Sequence, residues 1–378
     1  MKVYLDNAST TNVSKEVYEA MKPYFKKEYG NPSSLHNKGI SNRKVINTSR
    51  KTIASLLHCN HREIHFTSCG SESINWALKG LAFSNNIKGE IITTKVEHHA
   101  TLHTVEFLEK MGYIIHYLDV DNEGFINIEQ LKELVNDNTL VVSILMANNE
   151  IGTIQNMSEI ADICSEASTY LHVDAVQVAC HKDLDLTELN ADLVSFSGHK
   201  FQAPKGIGML YIKKGTKIEN LIHGGQQEQD HRAGTENVPY IIGITKALEI
   251  GVNQLGMYEE SLNKYANYFL KELDNAKIEY ILNGPPIGID RLPGNLNLSF
   301  KDLDGSDITY YLNKNGIYVS TGSACDSESI EASHVLQAIN VPKNYIDASL
   351  RFSIGIQTSF DEVKYAVGKL IEIINELK

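Results

Sequence analysis

Lys200 closes the stretch Ser195-Phe196-Ser197-Gly198-His199-Lys200, which follows the short apolar run Asp192-Leu193-Val194. A turn, Phe201 to Gly208, leads on to a second apolar run, Met209-Leu210-Tyr211-Ile212. This spacing predicts a lysine between two strands, beside a glycine and a histidine, facing a cleft. A desolvated amine has a lowered pKa and becomes a nucleophile toward carbonyl carbon. Alone, the hexapeptide is more simply read as a surface lysine on a polar turn. Residues in equivalent positions elsewhere decide between the two.

Phe66-Thr67-Ser68-Cys69-Gly70-Ser71-Glu72-Ser73 runs from a strand end through glycine into a helix start. Free N–H groups, the positive end of a helix and a hydroxyl make a phosphate cradle. Plain N-capping by Ser71 or Ser73 is the ordinary alternative. Glu97-His98-His99-Ala100 comes after the next apolar run. A histidine ring there can stack on a planar cofactor, and its ordinary reading is a polar loop. Asn148-Asn149-Glu150 comes after Val141–Leu145 and can orient a substrate or a ring substituent, or simply make a turn. His172-Val173-Asp174-Ala175-Val176-Gln177 ends a further run. A carboxylate there can keep a pyridine nitrogen protonated, which strengthens the ring as an electron sink; capping a helix is its ordinary role. Together these stretches set a phosphate cradle, a stacking ring, an acid and an amine at successive strand ends. That is the set required by pyridoxal 5'-phosphate (PLP). His99 and His103 lie four apart, and His58, Cys59, His61 and His65 form a loose cluster, but neither has the spacing of a known zinc site.

The elements that must position these residues repeat as strand, loop, helix. Strands are expected at Glu63–Thr67, Glu90–Thr94, Tyr113–Tyr117, Thr139–Leu145, Tyr170–Val173 and Asp192–Phe196, with helices near 72–84, 100–111, 128–136 and 158–168. Such alternation predicts an α/β domain with a largely parallel sheet, which binds ligands beyond the carboxyl ends of its strands. Before it, Ser14 can cap a helix running to about Glu28, and another helix spans about Ile40 to Leu57. After Val238 the pattern changes to two successive helices, Tyr240–Leu255 and Tyr258–Leu273, then strands near Glu279–Leu282, Asn295–Ser299, Gly316–Val319 and Ala348–Ser353. Helices are expected near Ser306–Lys314 and from Asp361. The expected division is a large domain, 15–256, and a small α+β domain formed by 1–14 plus 257–378.

The 378 residues suffice for two cores. A net charge of −12 argues against nucleic acid or an anionic membrane as the main partner. The start, Met1 to Asn7, has no apolar segment of a signal peptide, and no run of about eighteen apolar residues is present. Five scattered cysteines suggest neither disulfides nor a paired-cysteine zinc site, so a reducing cytoplasm is expected. One of them, Cys325, sits in Ser320-Thr321-Gly322-Ser323-Ala324-Cys325-Asp326-Ser327, small polar residues that pack no core.

Tyr4-Leu5-Asp6-Asn7-Ala8, Gly30-Asn31-Pro32-Ser33-Ser34-Leu35-His36, the Lys200 hexapeptide, and Arg232-Ala233-Gly234-Thr235-Glu236-Asn237-Val238 resemble the signatures of cysteine desulfurases. These are fold-type I PLP enzymes of the class-V aminotransferase family. The likeness covers nearly the whole chain. Gly322-Ser323-Ala324-Cys325 resembles the catalytic loop of the IscS/NifS-like group I, and the Arg-x-Gly-His-His-Cys pattern of group II is absent.

The resemblance implies a seven-stranded-type, mostly parallel sheet in the large domain. It also implies roles. Lys200 would carry PLP covalently, Asp174 would pair with the ring nitrogen, Gln177 with the phenolic oxygen, and His98 would stack on the ring. Ser71, Ser197 and His199, with the Gly70 backbone, would hold the phosphate, and Thr235 would reach the phosphate in the other subunit of a homodimer. Asn149 and Arg351 would bind the carboxylate of L-cysteine, and Cys325 would take the sulfur as a persulfide for an acceptor protein. That acceptor would be an iron–sulfur scaffold or a tRNA-thiolation enzyme. Selenocysteine lyase or aminotransferase activity on the same fold, and a non-enzymatic sulfur relay, are the alternatives. The chain departs from the family pattern at Cys69 and Ala203, where glycine is usual, at Ser71 for threonine, and at Ile356-Gln357, where arginine usually comes after Gly355.

Overall fold

The computed structural model describes residues 1–84, 88–321 and 333–378. Its strands in chain order are β1 (Val3–Tyr4), β2 (Ile64–Thr67), β3 (Glu90–Thr94), β4 (Ile114–Leu118), β5 (Thr139–Leu145), β6 (Tyr170–Asp174), β7 (Leu193–Ser197) and β8 (Gly208–Ile212). They continue with β9 (Tyr280–Leu282), β10 (Asn295–Phe300), β11 (Ile317–Tyr318), β12 (Ser320–Thr321) and β13 (Ser349–Ser353).

Seven strands form the main sheet in the order β2-β8-β7-β6-β5-β3-β4. The contiguous set β7, β6, β5, β3, β4 is parallel throughout, and β8 alone runs against both its neighbours. Helices cover both faces, so the central strands are apolar along their length, as parallel strands must be. Val141, Val142, Ile144, Val173, Val194 and Phe196 are fully buried. The polar exceptions satisfy one another. The His172 ring bridges the Ser143 hydroxyl at 2.8 Å and the Ser195 hydroxyl at 2.9 Å, linking β5, β6 and β7. Buried polar groups are tolerated when paired in this way.

A four-stranded antiparallel sheet, β12-β13-β10-β9, forms the second layer system, and β1 pairs in parallel with β11. Two large apolar cores result. One packs the main sheet against helix Asn37–Leu56 and the first half of helix Val238–Asn275. The other packs β10 and β13 with Val3, Leu5, Leu262 to Leu273 and the C-terminal helix Phe360–Leu377.

Three local expectations change. The helix expected from Ser14 to Glu28 is Lys15–Met21 followed by the short turn Pro23–Lys26, because Pro23 has no N–H to continue the ladder. Ser14 does cap it, accepting from the Val17 N–H. The next helix starts three residues early, at Asn37, because His36 Nδ1 accepts from the Gly39 N–H and caps it. The two helices expected on either side of residue 256 are one element, Val238–Asn275. Gly251 and Gly256 weaken a helix by about 1 kcal/mol each but remove no hydrogen bond.

Candidate active site

Ten of the residues singled out in the sequence line one cavity of about 380 Å³ at the carboxyl ends of the main-sheet strands: Gly70, Ser71, His98, Asn149, Asp174, Gln177, Ser197, His199, Lys200 and Arg351. Its volume falls in the usual range for a small ligand. The strand-end rule explains the gathering. Asp174 ends β6, Ser197 ends β7, Lys200 closes the 3-10 turn just after β7, and His98 comes after β3.

Lys200 Nζ donates to the Ala8 carbonyl at 2.6 Å and the Ser9 carbonyl at 3.0 Å. Gln177 donates to the same Ala8 carbonyl at 3.0 Å. The N-terminal stretch 8–11 therefore crosses the cavity as a strap. Thr11 N–H donates to the His199 carbonyl at 2.9 Å, and the His199 ring faces the Thr10 hydroxyl at 3.1 Å. Burial and then the Lys200 charge lower His199 to about 4.

Asp174 is 2% exposed, and its Oδ1 accepts from the Val176 N–H at 2.9 Å. Burial pushes its carboxyl up to about 6, against the pull of that N–H and of Lys200. His98 caps helix His99–Lys110, its Nδ1 accepting from the Ala100 N–H at 3.0 Å. Burial and then Lys200 lower His98 to about 4, so the ring is neutral at pH 7. With Nδ1 occupied as an acceptor, the single ring proton sits on Nε2.

Helix Gly70–Ser84 begins at the cavity wall. A side chain at Gly70 would bring Cβ to 3.0 Å from Val176 and 3.2 Å from the Ser197 Cβ, so glycine keeps this corner open. The acidic residue of the first turn, Glu72, does not line the cavity; it accepts from the Ser68 N–H at 2.7 Å and is neutralised by Arg232 at 2.8 Å. The helix terminus thus keeps its positive character for an anion.

Arg351 extends from β13 with 5% exposure. Its NH1 donates to the Asn149 carbonyl at 3.1 Å, and its NH2 to Asp6 at 2.9 Å and the Ser9 hydroxyl at 2.5 Å. Its Nε is buried without a hydrogen-bond partner among the described residues. A guanidinium in a cavity wall suits a carboxylate.

Thr235 stands apart. It lines a separate cavity of about 230 Å³ with Ser68, Glu228 and Arg232. Cys325 lies outside the described residues. The chain on either side of it is anchored at the site: Ser320 pairs opposite Arg351, and the Ser333 hydroxyl donates to Glu150, next to Asn149, at 2.6 Å.

Sequence reasoning gave no role to Asp6, Ala8, Ser9 or Cys69, although Ala8, Ser9 and Cys69 line the cavity. Asp6 and Ala8 belong to the signature stretch Tyr4–Ala8; Ser9 acts through a carbonyl and a hydroxyl that carry no pattern of their own. Among the described residues, no group of three or more His, Cys, Asp or Glu side chains is arranged to hold a metal. No described helix is long and apolar enough to cross a membrane.

The class-V aminotransferase family matches residues 3–366. "Cysteine desulfurase IscS" of Dictyoglomus turgidum is 48% identical over 378 residues, spanning 100% of this chain and 95% of that protein. A solved NifS-like protein superposes with a TM-score of 0.94 at 39% identity, covering 100% of both chains. The solved structure described as SspA in complex with cysteine has a TM-score of 0.82 at 34% identity, covering 93% of this chain and 99% of that one. Likeness of this degree over the full length, in sequence and in fold, means that the chain belongs to the class-V aminotransferase family and, within it, to the PLP-dependent cysteine desulfurases.

Proposed function

We propose that this chain removes sulfur from L-cysteine at the cavity described above, leaving L-alanine and a persulfide on Cys325. The observation that carries the reading is the meeting of Lys200, Asp174 and Arg351 in one cavity. The residues present fit PLP. Gly70 leaves a corner open at a helix N-terminus, Asp174 is a buried carboxyl in the cavity wall, and Arg351 sets a cation beside them.

Gly70, Ser71, Ser197 and His199 would hold the phosphate, His98 would lie against the ring, and Gln177 would bond its phenolic oxygen. Bound PLP supplies an electron sink that lets an amino acid lose its α-proton. Asp174 holds a proton on the ring nitrogen. Lys200 would carry the cofactor, and its amine would take the α-proton. Arg351, with Asn149, binds the substrate carboxylate and so fixes which bonds face Lys200. The Cys325 thiolate attacks the substrate sulfur; a sulfur–sulfur bond forms and the carbon–sulfur bond breaks. Cysteine plus thiol gives alanine plus persulfide, so no outside oxidant is needed.

Thr235 lies outside this cavity, which supports its service to the phosphate of a second copy in a homodimer with shared sites. The two apolar cores support the division into 15–256 and 1–14 plus 257–378. The sulfur acceptor would be a protein of iron–sulfur assembly or tRNA thiolation, in the cytoplasm.

The test is direct. Purified protein supplied with PLP and L-cysteine should release alanine and, with a thiol reductant, sulfide in equal amounts. Borohydride reduction should fix the cofactor to the peptide containing Lys200, and Lys200→Ala should lose both label and turnover. Label on Lys205 instead, or amino transfer that depends on a keto acid, would overturn the reading.

A further inference from the structure

Glu97 stands immediately before His98, and its side chain is 1% exposed. Its Oε1 accepts from the Leu145 N–H at 2.9 Å and from the Thr94 hydroxyl at 2.9 Å. Its Oε2 is buried and faces the hydroxyl of Thr101, buried too, in the first turn of helix His99–Lys110. Leu145 is opposite Asp174 in the β5–β6 register. Two buried carboxyls therefore lie on either side of the end of β5.

The titratable and charged groups around Glu97 come from four elements. His98 and His99 belong to its own turn, Asp174 ends β6, Lys200 lies beyond Asp174, and His334 arrives from helix His334–Ala338. The His334 Nε2 lies 3.0 Å from the Glu97 backbone carbonyl, not its carboxyl. Lys95, two residues before, pairs with Asp119. No described hydrogen bond to the Glu97 carboxyl comes from a cation. A buried carboxylate without a cation is costly, and such a group keeps its proton instead. Burial, with Asp174 adding to it, raises Glu97 to about 8, whereas Asp174, with Lys200 pulling the other way, reaches about 6.

The neutral state of Glu97 is favoured by burial without a cation, and it is compatible with the hydrogen bonds at both oxygens. Its Oε2–H can donate to the Thr101 hydroxyl while Oε1 still accepts from Leu145 and Thr94. We propose that Glu97 is a positioning residue, a neutral acid that clamps the His98 turn to the end of β5 and leaves the negative charge at these strand ends to Asp174. The inference rests on the reading of the cavity as the PLP site. Ionising Glu97 would place a second anion beside Asp174, raise the proton affinity of Asp174, and loosen the turn that aims His98.

Infrared difference spectra of the apoprotein, wild type minus Glu97→Gln, should show a protonated-carboxyl carbonyl band at about pH 7 that titrates away near about pH 8. Wild type carrying 13C-labelled glutamate reports the same band without any variant. With PLP bound, the alkaline limb of the cofactor absorbance titration should move down by up to about one pH unit in Glu97→Gln, because the wild type alone gains an anion there that holds the proton. Glu97→Ala should weaken PLP binding by roughly tenfold, and Glu97→Gln should recover most of that loss. Absence of the protonated band, an unmoved alkaline limb, or Glu97→Gln binding PLP no better than Glu97→Ala would overturn the inference while leaving the desulfurase reading standing. Failure of the wild type to bind PLP at all would overturn both.

Discussion

Arg351 and Asp6 are joined across 345 positions of sequence by a bond of 2.9 Å between NH2 and Oδ1, with Asp6 just ahead of the N-terminal strap. The pair fixes the guanidinium in the cavity wall. Lysine cannot reproduce a bidentate fork. Arg351→Lys should therefore raise KM for L-cysteine by roughly 10- to 100-fold with a smaller change in kcat. Asp6→Asn keeps a hydrogen bond but loses the charge, and should raise KM only a few-fold. Steady-state kinetics of the two variants check this, and equal effects in both would contradict it.

Asp174 makes PLP binding dependent on pH. Its folded value of about 6 lies above the 3.8 of an exposed aspartate. The folded apoprotein thus keeps a proton that the unfolded chain has already lost. The stability gained from that proton is full below 3.8 and is lost as pH rises through about 6. A cofactor bearing a protonated ring nitrogen offsets this loss. The rise in melting temperature on adding PLP should be greater at about pH 7.5 than at about pH 5. In Asp174→Asn that difference should vanish, and kcat should fall by about 100-fold or more. Calorimetry with and without PLP at the two pH values measures it.

Cys325 and Cys69 offer a paired comparison. Cys325→Ser should bind PLP and L-cysteine yet release no alanine or sulfide, since a hydroxyl is a poor nucleophile toward sulfur. Cys69 lines the cavity beside the helix terminus, but no step needs its thiol. Cys69→Ser should shift PLP affinity by no more than a few-fold and keep turnover. Cys59, Cys164 and Cys180 have thiols pushed up to about 12, chiefly by burial, which makes them inert. Alanine production by Cys325→Ser at the wild-type rate would move the nucleophile elsewhere.

Acid should unfold the protein through histidines held neutral. Burial lowers His172 from 6.5 to about 3, and both ring nitrogens are engaged by serines. Its contribution to stability is full above 6.5 and is lost as pH falls through 6.5 toward about 3. Urea unfolding between about pH 7 and pH 5 should show stability falling with acid, and His172→Asn should reduce that slope by about one proton. An unchanged slope would show that His172 is charged in the fold.

The strand-end residues were legible because a parallel α/β sheet converts order along the chain into place in space. Gly70, His98, Asn149, Asp174 and Lys200 each come at or just after the end of an apolar run, and runs that end at one edge of the sheet deliver their next residues to that edge. Apolar patterning and glycine placement are local, so the sequence alone determined the strands, the fold class and most of the cavity wall. Tertiary packing decided the rest. The carbonyls of Ala8 and Ser9 hold Lys200 from more than 190 positions away, and a backbone carbonyl leaves no mark in a sequence. Glu97 reads as an ordinary surface acid until burial at the end of β5 removes water and any cation from it. Helix Val238–Asn275 runs unbroken where two successive helices were expected, its two halves held in separate apolar cores. These outcomes depend on which distant surfaces exclude water together, and only the folded chain settles that.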